Sequence, residues 1–372
     1  MEEKLIVVTV ENFSRAQIIK AQLESEGIEC FLSNLNLIQA SVADGVKIMV
    51  KESDVKRAIK VYLAIKTQYK RDGQKKIKRT RNIRRILVPV DFSENSLRSS
   101  LFALEVGDTY NASVRFLHVY YSPAIDMITT PDVNISQFNL DIVMNEIQTR
   151  AKEDMRQFLE KLAVYVAERK LFKVKISNRI MEGLVSDTIF TACETYKPGL
   201  IILGTQGQSN KTSTIIGSVV WKVIQKSKIP VLSIPEKSVF DYKKNTYNIM
   251  FTTDLDAVDY KTIRKLIVIL SPFKNLKMHC VHASDKAINA YQKARMEELK
   301  EYLSSVISFP LQFKFLESKD YINSFNDYIK ENKIDLICMS TRKRSLIERF
   351  FNPSLAKKML YHTTTPLMII HL

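Results

Sequence analysis

The stretch "LGTQGQSNKTSTIIGSVVWKVIQKSKIPVLSI", Leu203–Ile234, lies without a gap over "MSTRKRSLIERFFNPSLAKKMLYHTTTPLMII", Met339–Ile370. In that register Pro366 falls under Pro230, Ser354 under Ser218 and Thr341 under Thr205. Upstream, "NIMFTTDLD" mirrors "RILVPVDFS" and "LKMHCVHAS" mirrors "VRFLHVYYS". The chain therefore carries an internal duplication of ~130 to 150 residues, far longer than a solenoid period. Within each copy, apolar runs of strand length alternate with helical patterns. Strict alternation of that kind predicts a parallel sheet with helices on both faces, and the two copies are expected to pack as a pseudo-dimer.

Working outward, residues 70–85, "KRDGQKKIKRTRNIRR", hold nine basic side chains and one acidic, which is half of the net charge of +16. Residues 1–66 balance nine basic against nine acidic side chains. A run of this charge is either a solvated linker or a strip that binds nucleic acid or acidic lipid, and no aromatic RNA-binding motif accompanies it. It is read here as a linker over 70–82. The expected domains are a small module over 1–69, the linker, a first repeat over 83–236 and a second over 246–372.

In the module, "KLIVVTV" reads as a strand, Ala16, Ile19 and Leu23 share a helical face, and Gly27 stops the helix. "ECFLS" and "VKIMVK" read as the next strands. Ser53 or Asp54 then caps a helix that places Val55, Ala58, Ile59 and Tyr62 on one face. The unit is α+β, in the order βαββα. It is small enough to need a neighbour or a second copy of itself.

Of the 372 residues 45% are hydrophobic and 26% charged, an ordinary globular balance. The longest apolar runs, "LIILG" and "LIVIL", fall well short of the ~20 residues that span a bilayer, and "MEEKLIVV" does not read as a signal peptide. A cytoplasmic chain with no membrane partner is expected. Cys30, Cys193, Cys280 and Cys338 form no CxxC pair and are expected as buried thiols. His279 and His282 would face opposite sides of a strand, so no metal site is expected there.

In a doubly wound sheet, ligands bind beyond the carboxyl ends of the strands at a reversal of strand order. That edge of the first copy gathers Pro89, Val90 and Asp91, then His118 and Val119, then Leu203, Gly204 and the residues that follow. The loop is not a P-loop, which requires Gly-Lys-Ser/Thr after a four-residue gap. Gly204 and Gly207 instead offer tight turning and close approach to their amides. Gly217 and Ser218 open the next helix, with Ser218 expected as its N-cap and the free amides beyond it favouring an anion. Taken singly, each feature also has a purely structural reading as a turn or a cap. The joint spacing favours a nucleotide.

The set G-x2-G-x9-G-[ST] at Gly204, Gly207, Gly217 and Ser218, with "VPVDFS" before it and "SKIPVLSIP" after it, resembles the ATP-binding branch of the universal stress proteins over residues 83 to 372. The resemblance implies two tandem Rossmann-like domains of the adenine nucleotide alpha hydrolase-like kind. It also implies the contacts: Pro89, Val90 and Asp91 toward adenine and ribose, Val119 against the base, and Leu203, Gly204, Gln206 and Gly207 along ribose and phosphates. Gly217, Ser218, Val219 and Val220 would hold the phosphate chain. ATP or another adenine nucleotide with Mg2+ is the implied ligand, and Lys211 a candidate to neutralise its phosphates. The final strands are the implied pairing surface of the two copies.

The second copy departs from this pattern. Ser340, Lys343 and Pro353 replace the three glycines, which leaves Asp254 and Ser354. Loss of close approach and of one amide donor makes this copy an expected non-binder that completes the pseudo-dimer. His118 has its equivalent in His282, within the copy expected to be empty, so both are read as structural. Residues 1–66 look like the small "putative signal-transducing protein" family, through "AQLESEGIECFLSN" and "DGVKIMVKESDVKRAIKVY", which implies a ferredoxin-like regulatory module.

The expected function is a stress-response or signalling regulator that binds nucleotide in its first repeat, with a protein partner or further homo-oligomer to be found. Two alternatives stand beside it. One is a slow ATPase or nucleotidyl-transfer enzyme, for which no catalytic residue is assigned because Asp91 is the only acid at the site. The other is nucleic-acid binding through residues 70–85.

Overall fold

The computed structural model describes residues 5–11, 13–33, 46–65, 83–121, 137–205, 217–238, 244, 246–255, 257–273, 275–284, 286–341 and 364–371. They divide into two compact units, residues 1–80 with 288–308 and residues 81–287 with 309–372.

The first unit begins with β1 (Leu5–Glu11), α1 (Phe13–Ser25), β2 (Cys30–Ser33) and β3 (Val46–Lys51), then a 3-10 turn at Glu52–Asp54 and a helix, α2, over 55–65. The sheet order is β1-β3-β2, antiparallel throughout. Alternation in β3 buries Val46, Ile48 and Val50 against Ala16, Ile19 and Leu23 of α1 and Ala58 of α2. Gly27, at φ +73°, ends α1, with Gly27 N–H donating to Glu24 O and Ile28 N–H to Leu23 O, each at 3.0 Å. Ile59 departs from the expected helical face and is 42% exposed; Val61, Tyr62 and Ile65 pack on the core instead. Residues 288–308 carry a further helix, Ala290–Val306, which chain order places in the second repeat.

The second unit contains β4 (Arg85–Val90), α3 (Glu94–Tyr110), β5 (Ser113–Tyr120), α4 (Gln137–Arg169), β6 (Lys175–Glu182), α5 (Val185–Tyr196), β7 (Leu200–Gly204), α6 (Ser218–Lys226) and β8 (Val231–Ile234). The repeat follows as β9 (Tyr247–Thr252), α7 (Ala257–Leu270) and β10 (Leu276–Ser284). After the helix at Ala290–Val306, termed α8, come β11 (Leu311–Glu317), α9 (Tyr321–Glu331), β12 (Leu336–Thr341) and β13 (Leu367–His371). All ten strands form one sheet in the order β11-β10-β9-β12-β13-β8-β7-β4-β5-β6. Every pairing is parallel except β13 with β8, where Leu367 faces Ser233 and Ile369 faces Val231. The last strand of each copy thus covers the sheet edge of the other.

The duplication extends to backbone conformation. Phe92 and Leu255 (φ 62° and 60°), Asn111 and Asn275 (51° and 57°), and Lys197 and Lys333 (52° and 48°) are left-handed at matching strand–helix boundaries. Across the copies, the Tyr110 hydroxyl donates to the carbonyl of Ile269 in the last turn of α7, and its ring meets Phe273 edge-on at 6.0 Å. Within the first copy, buried Glu105 of α3 accepts from Tyr165 Oη at 2.9 Å and Arg169 Nε at 2.8 Å, which fastens α4.

Two measurements test this packing. Tyr110→Phe leaves a buried helix-end carbonyl without its donor and should lower the unfolding free energy by about 1–3 kcal/mol, read by urea titration. His279, 1% exposed, hydrogen-bonds Tyr328 Oη through Nδ1 at 2.9 Å. Burial first, then Lys277, lowers its pKa from 6.5 to about 4. Between those values the unfolded chain binds the proton and the folded chain does not. The stability present above the unfolded value is therefore lost as pH falls toward the folded one. His279→Leu should flatten that part of a plot of thermal midpoint against pH.

Candidate functional site at the strand-order reversal

In the first repeat the strand order is β8-β7-β4-β5-β6, so the direction of winding reverses between β4 and β7. The ladder between these two strands holds Ile86–Leu200 and Leu87–Ile201, whereas β4 stays paired with β5 through Val90–His118. In the second repeat the equivalent ladder runs one step further, to Phe251–Cys338. Pro89 accounts for the difference. Its counterpart is Thr252, and because Thr253 N–H donates toward β10, to Val281 O at 3.0 Å, the Thr252 N–H faces β12. Proline has no N–H to donate in that direction, so the β4–β7 ladder ends one step earlier, at the reversal of strand order beyond which open α/β sheets carry their ligands.

Asp91 ends β4. Its Oδ1 accepts from Ser93 Oγ at 2.6 Å and Ser93 N–H at 3.1 Å, while Ser93 caps α3 by accepting from Ser96 N–H at 3.2 Å. The carboxylate thereby stiffens the turn in which Phe92 takes positive φ. On the neighbouring strand, His118 Nδ1 bonds Val90 O at 2.9 Å, its ring lies 4.3 Å from that of Phe92, and Val119 packs half-buried against the core just beyond the end of β4. His282 bonds Thr253 O at 2.8 Å in the same manner. Both histidines join adjacent strands, the structural role read from the sequence.

From β7, Thr205 N–H donates to Ile234 O at 3.1 Å, and Gly217 N–H returns to Thr205 O at 3.0 Å. The two ends of the glycine-rich stretch are thus side by side. Gln206, Gly207 and Lys211 lie outside the described residues. The N-cap of α6 is Gly217, not Ser218, which is the exposed first helical residue. The expectation of a serine cap is corrected, because the chain already has extended geometry at Gly217 (φ −58°, ψ 140°) and Trp221 N–H bonds the Gly217 carbonyl at 3.1 Å. Among the described residues no side chain caps this end, and the first turn carries no acid. The amides of Ser218, Val219 and Val220 have no acceptor within the helix.

The two described glycines serve different ends. A Cβ at Gly204 would lie 2.8 Å from Asn95 Nδ2 and 3.1 Å from Asn95 O, so this glycine admits α3. Among the described residues, a Cβ at Gly217 would meet nothing closer than Val220 Cγ2 at 3.8 Å. Neither φ nor crowding by those residues requires glycine there. The side chains of Leu203 and Val220 are buried in the core, so these residues offer a ligand main chain alone. Asn95 and Ser96 were not singled out in the sequence, where a polar residue in the first turn of a helix reads as ordinary surface. All four cysteines are buried and free, and no cluster of three metal-binding side chains occurs among the described residues.

The universal stress protein family model matches residues 82–235 and again 248–371. The chain belongs to the universal stress protein family. The model described as "Putative prokaryotic signal transducing protein" matches residues 5–62, the N-terminal module. Universal stress protein MJ0577 of Methanocaldococcus jannaschii is 29% identical over 160 residues, 42% of this chain and 96% of that protein. MJ0531 of the same organism is 26% identical over 151 residues, covering 41% and 81%. A crystal structure of a universal stress protein from Archaeoglobus fulgidus covers 77% of this chain and 96% of its own, with a TM-score of 0.56 at 18% identity, a likeness of fold. Among the described residues no helix is long and apolar enough to cross a membrane.

Gly204→Ala should lower stability by about 1–3 kcal/mol through overpacking against Asn95. Gly217→Ala should stay within about 1 kcal/mol of the parent chain, the usual scale of a cap change. Thermal unfolding of the two variants, side by side, checks the assignment.

Proposed function

We propose that this universal stress protein is a regulator that binds ATP or another adenine nucleotide, with Mg2+, in the crevice of its first repeat. The observation that carries the reading is the return of Gly217 N–H to Thr205 O beside the point where the β4–β7 ladder ends. It sets the start of α6, uncapped by any described side chain, at the strand-order reversal. Helix amides and the positive end of the helix dipole suit phosphate oxygens. Pro89, Val90, Asp91 and Val119, at the ends of β4 and β5, form the opposite wall for base and ribose. Charge-assisted hydrogen bonds contribute roughly 1.5–3 kcal/mol each, so a few of them approach the ~8 kcal/mol of micromolar affinity. Bound nucleotide would supply charge and shape for a partner to read. Asp91, whose Oδ1 is held by Ser93, anchors the turn and is not assigned as a base. A cytoplasmic setting and a protein partner complete the proposal.

The test is calorimetric titration of the full chain with ATP and Mg2+, beside Gly217→Ala. One site per chain, weakened at least about tenfold in a variant of unchanged stability, is the expected result. No heat of binding from folded parent protein at millimolar ATP would overturn the reading.

A further inference from the structure

The two repeats carry different side chains at the third residue of the helix after their first strand: Ser96 in α3 and Asp259 in α7. Both sit on the same backbone course, an aspartate followed by a residue at φ near 60°, a capping position and then the helix. Asp259 is 1% exposed. Its Oδ2 accepts from Thr253 Oγ1 at 2.5 Å and Asp254 N–H at 3.1 Å, and its Oδ1 from Ser340 Oγ at 3.1 Å. One carboxylate thus ties the turn after β9 to the end of β12. The counterparts of those elements in the first repeat, the Asp91 turn and Gly204, flank the crevice.

In the first repeat the two hydroxyl donors of this bridge are missing. Val90 stands for Thr253 and Gly204 for Ser340, and Ser96 puts a neutral hydroxyl where Asp259 has its carboxylate. Ser96 is 5% exposed, and its Oγ has no hydrogen-bond partner among the described residues. Burying a hydroxyl without a partner is unfavourable, so a persistent one marks a place where something else supplies the bond. Thr252 adds to the closure of the second repeat by continuing the ladder where Pro89 interrupts it.

We infer that position 96/259 decides which repeat is open to a nucleotide. Ser96 leaves the crevice and a hydrogen-bonding hydroxyl to the ligand, and Asp259 fills the equivalent place with the chain's own anion. The part concerning Ser96 rests on the nucleotide reading above. The part concerning Asp259 does not. The loss of glycines in the second repeat is then accompanied by a built-in bridge between the elements a ligand would join, and restoring glycine alone would leave a buried carboxylate facing any phosphate.

The experiment has two arms on the full chain. In the first, Ser96→Ala, Ser96→Asn and Ser96→Asp are titrated with ATP and with adenosine. Ser96→Asp should weaken ATP at least about tenfold and adenosine less. Ser96→Asn, of similar size without the charge, should keep more ATP affinity than Ser96→Asp. Ser96→Ala should lose affinity a few-fold with no loss of thermal stability. ATP binding by Ser96→Asp equal to the parent, or equal losses for ATP and adenosine, overturns the charge argument. Unchanged ATP affinity in Ser96→Ala overturns the role given to the Ser96 hydroxyl, whether or not Ser96→Asp folds.

In the second arm, hydrogen exchange is followed over residues 253–259 and 336–341. Asp259→Ser should speed exchange there, and the triple variant Thr253→Val, Asp259→Ser, Ser340→Gly, which copies the first repeat, should recover part of the protection. Unchanged exchange in Asp259→Ser overturns the bridge. A parent chain that binds no ATP removes the nucleotide reading, and this second arm still decides whether the second repeat is closed from within.

Discussion

The antiparallel pairing of β8 with β13 is the contact on which the larger unit depends. A parallel sheet built of strand–helix units ends in unpaired edges, and such edges are open templates for other chains. Each repeat here solves that problem with the other, through three residue pairs from Leu367–Ser233 to Ile369–Val231. The core then runs across the junction, with Val223 and Val231 of the first repeat in one cluster with Val281, Ile337 and Leu367 of the second. Tyr110 and the carbonyl of Ile269 reinforce the same junction from the helical layer.

A shared sheet lets the repeats diverge without loss of the fold. Backbone geometry has been kept, since the three pairs of left-handed residues fall at equivalent boundaries. Side chains at the strand ends have not. The first repeat has Pro89, which ends a ladder, Gly204, which yields to Asn95, and Gly217, which no described neighbour requires. The second has Thr252, Asp259 and Ser340, which draw the corresponding elements together. Which molecules bind is then a property of a few side chains on a common scaffold.

Much of this was legible in the sequence because the relevant signals are local. The ungapped register of Leu203–Ile234 over Met339–Ile370 gave the duplication, alternating periodicity gave the strands and helices, and glycine spacing marked the edge that carries the site. Gly27 stopped its helix as expected, whereas Ile59 turned outward because Val61, Tyr62 and Ile65 supply the packing face of that helix. The helix cap was misassigned by one residue, since serine is the better capping side chain but the backbone already turns at Gly217.

By itself, then, the sequence determined the family, the repeat and the kinds of element. These follow from the spacing of residues close together in the chain. Tertiary structure alone decided that Gly204 makes room for Asn95, that Pro89 ends a ladder, and that Asp259 reaches Ser340 across 81 positions of sequence. It also placed residues 288–308 in the unit of the N-terminal module. Such facts depend on which surfaces meet after folding, and burial and hydrogen-bond satisfaction between distant segments have no periodicity along the chain from which they could be read.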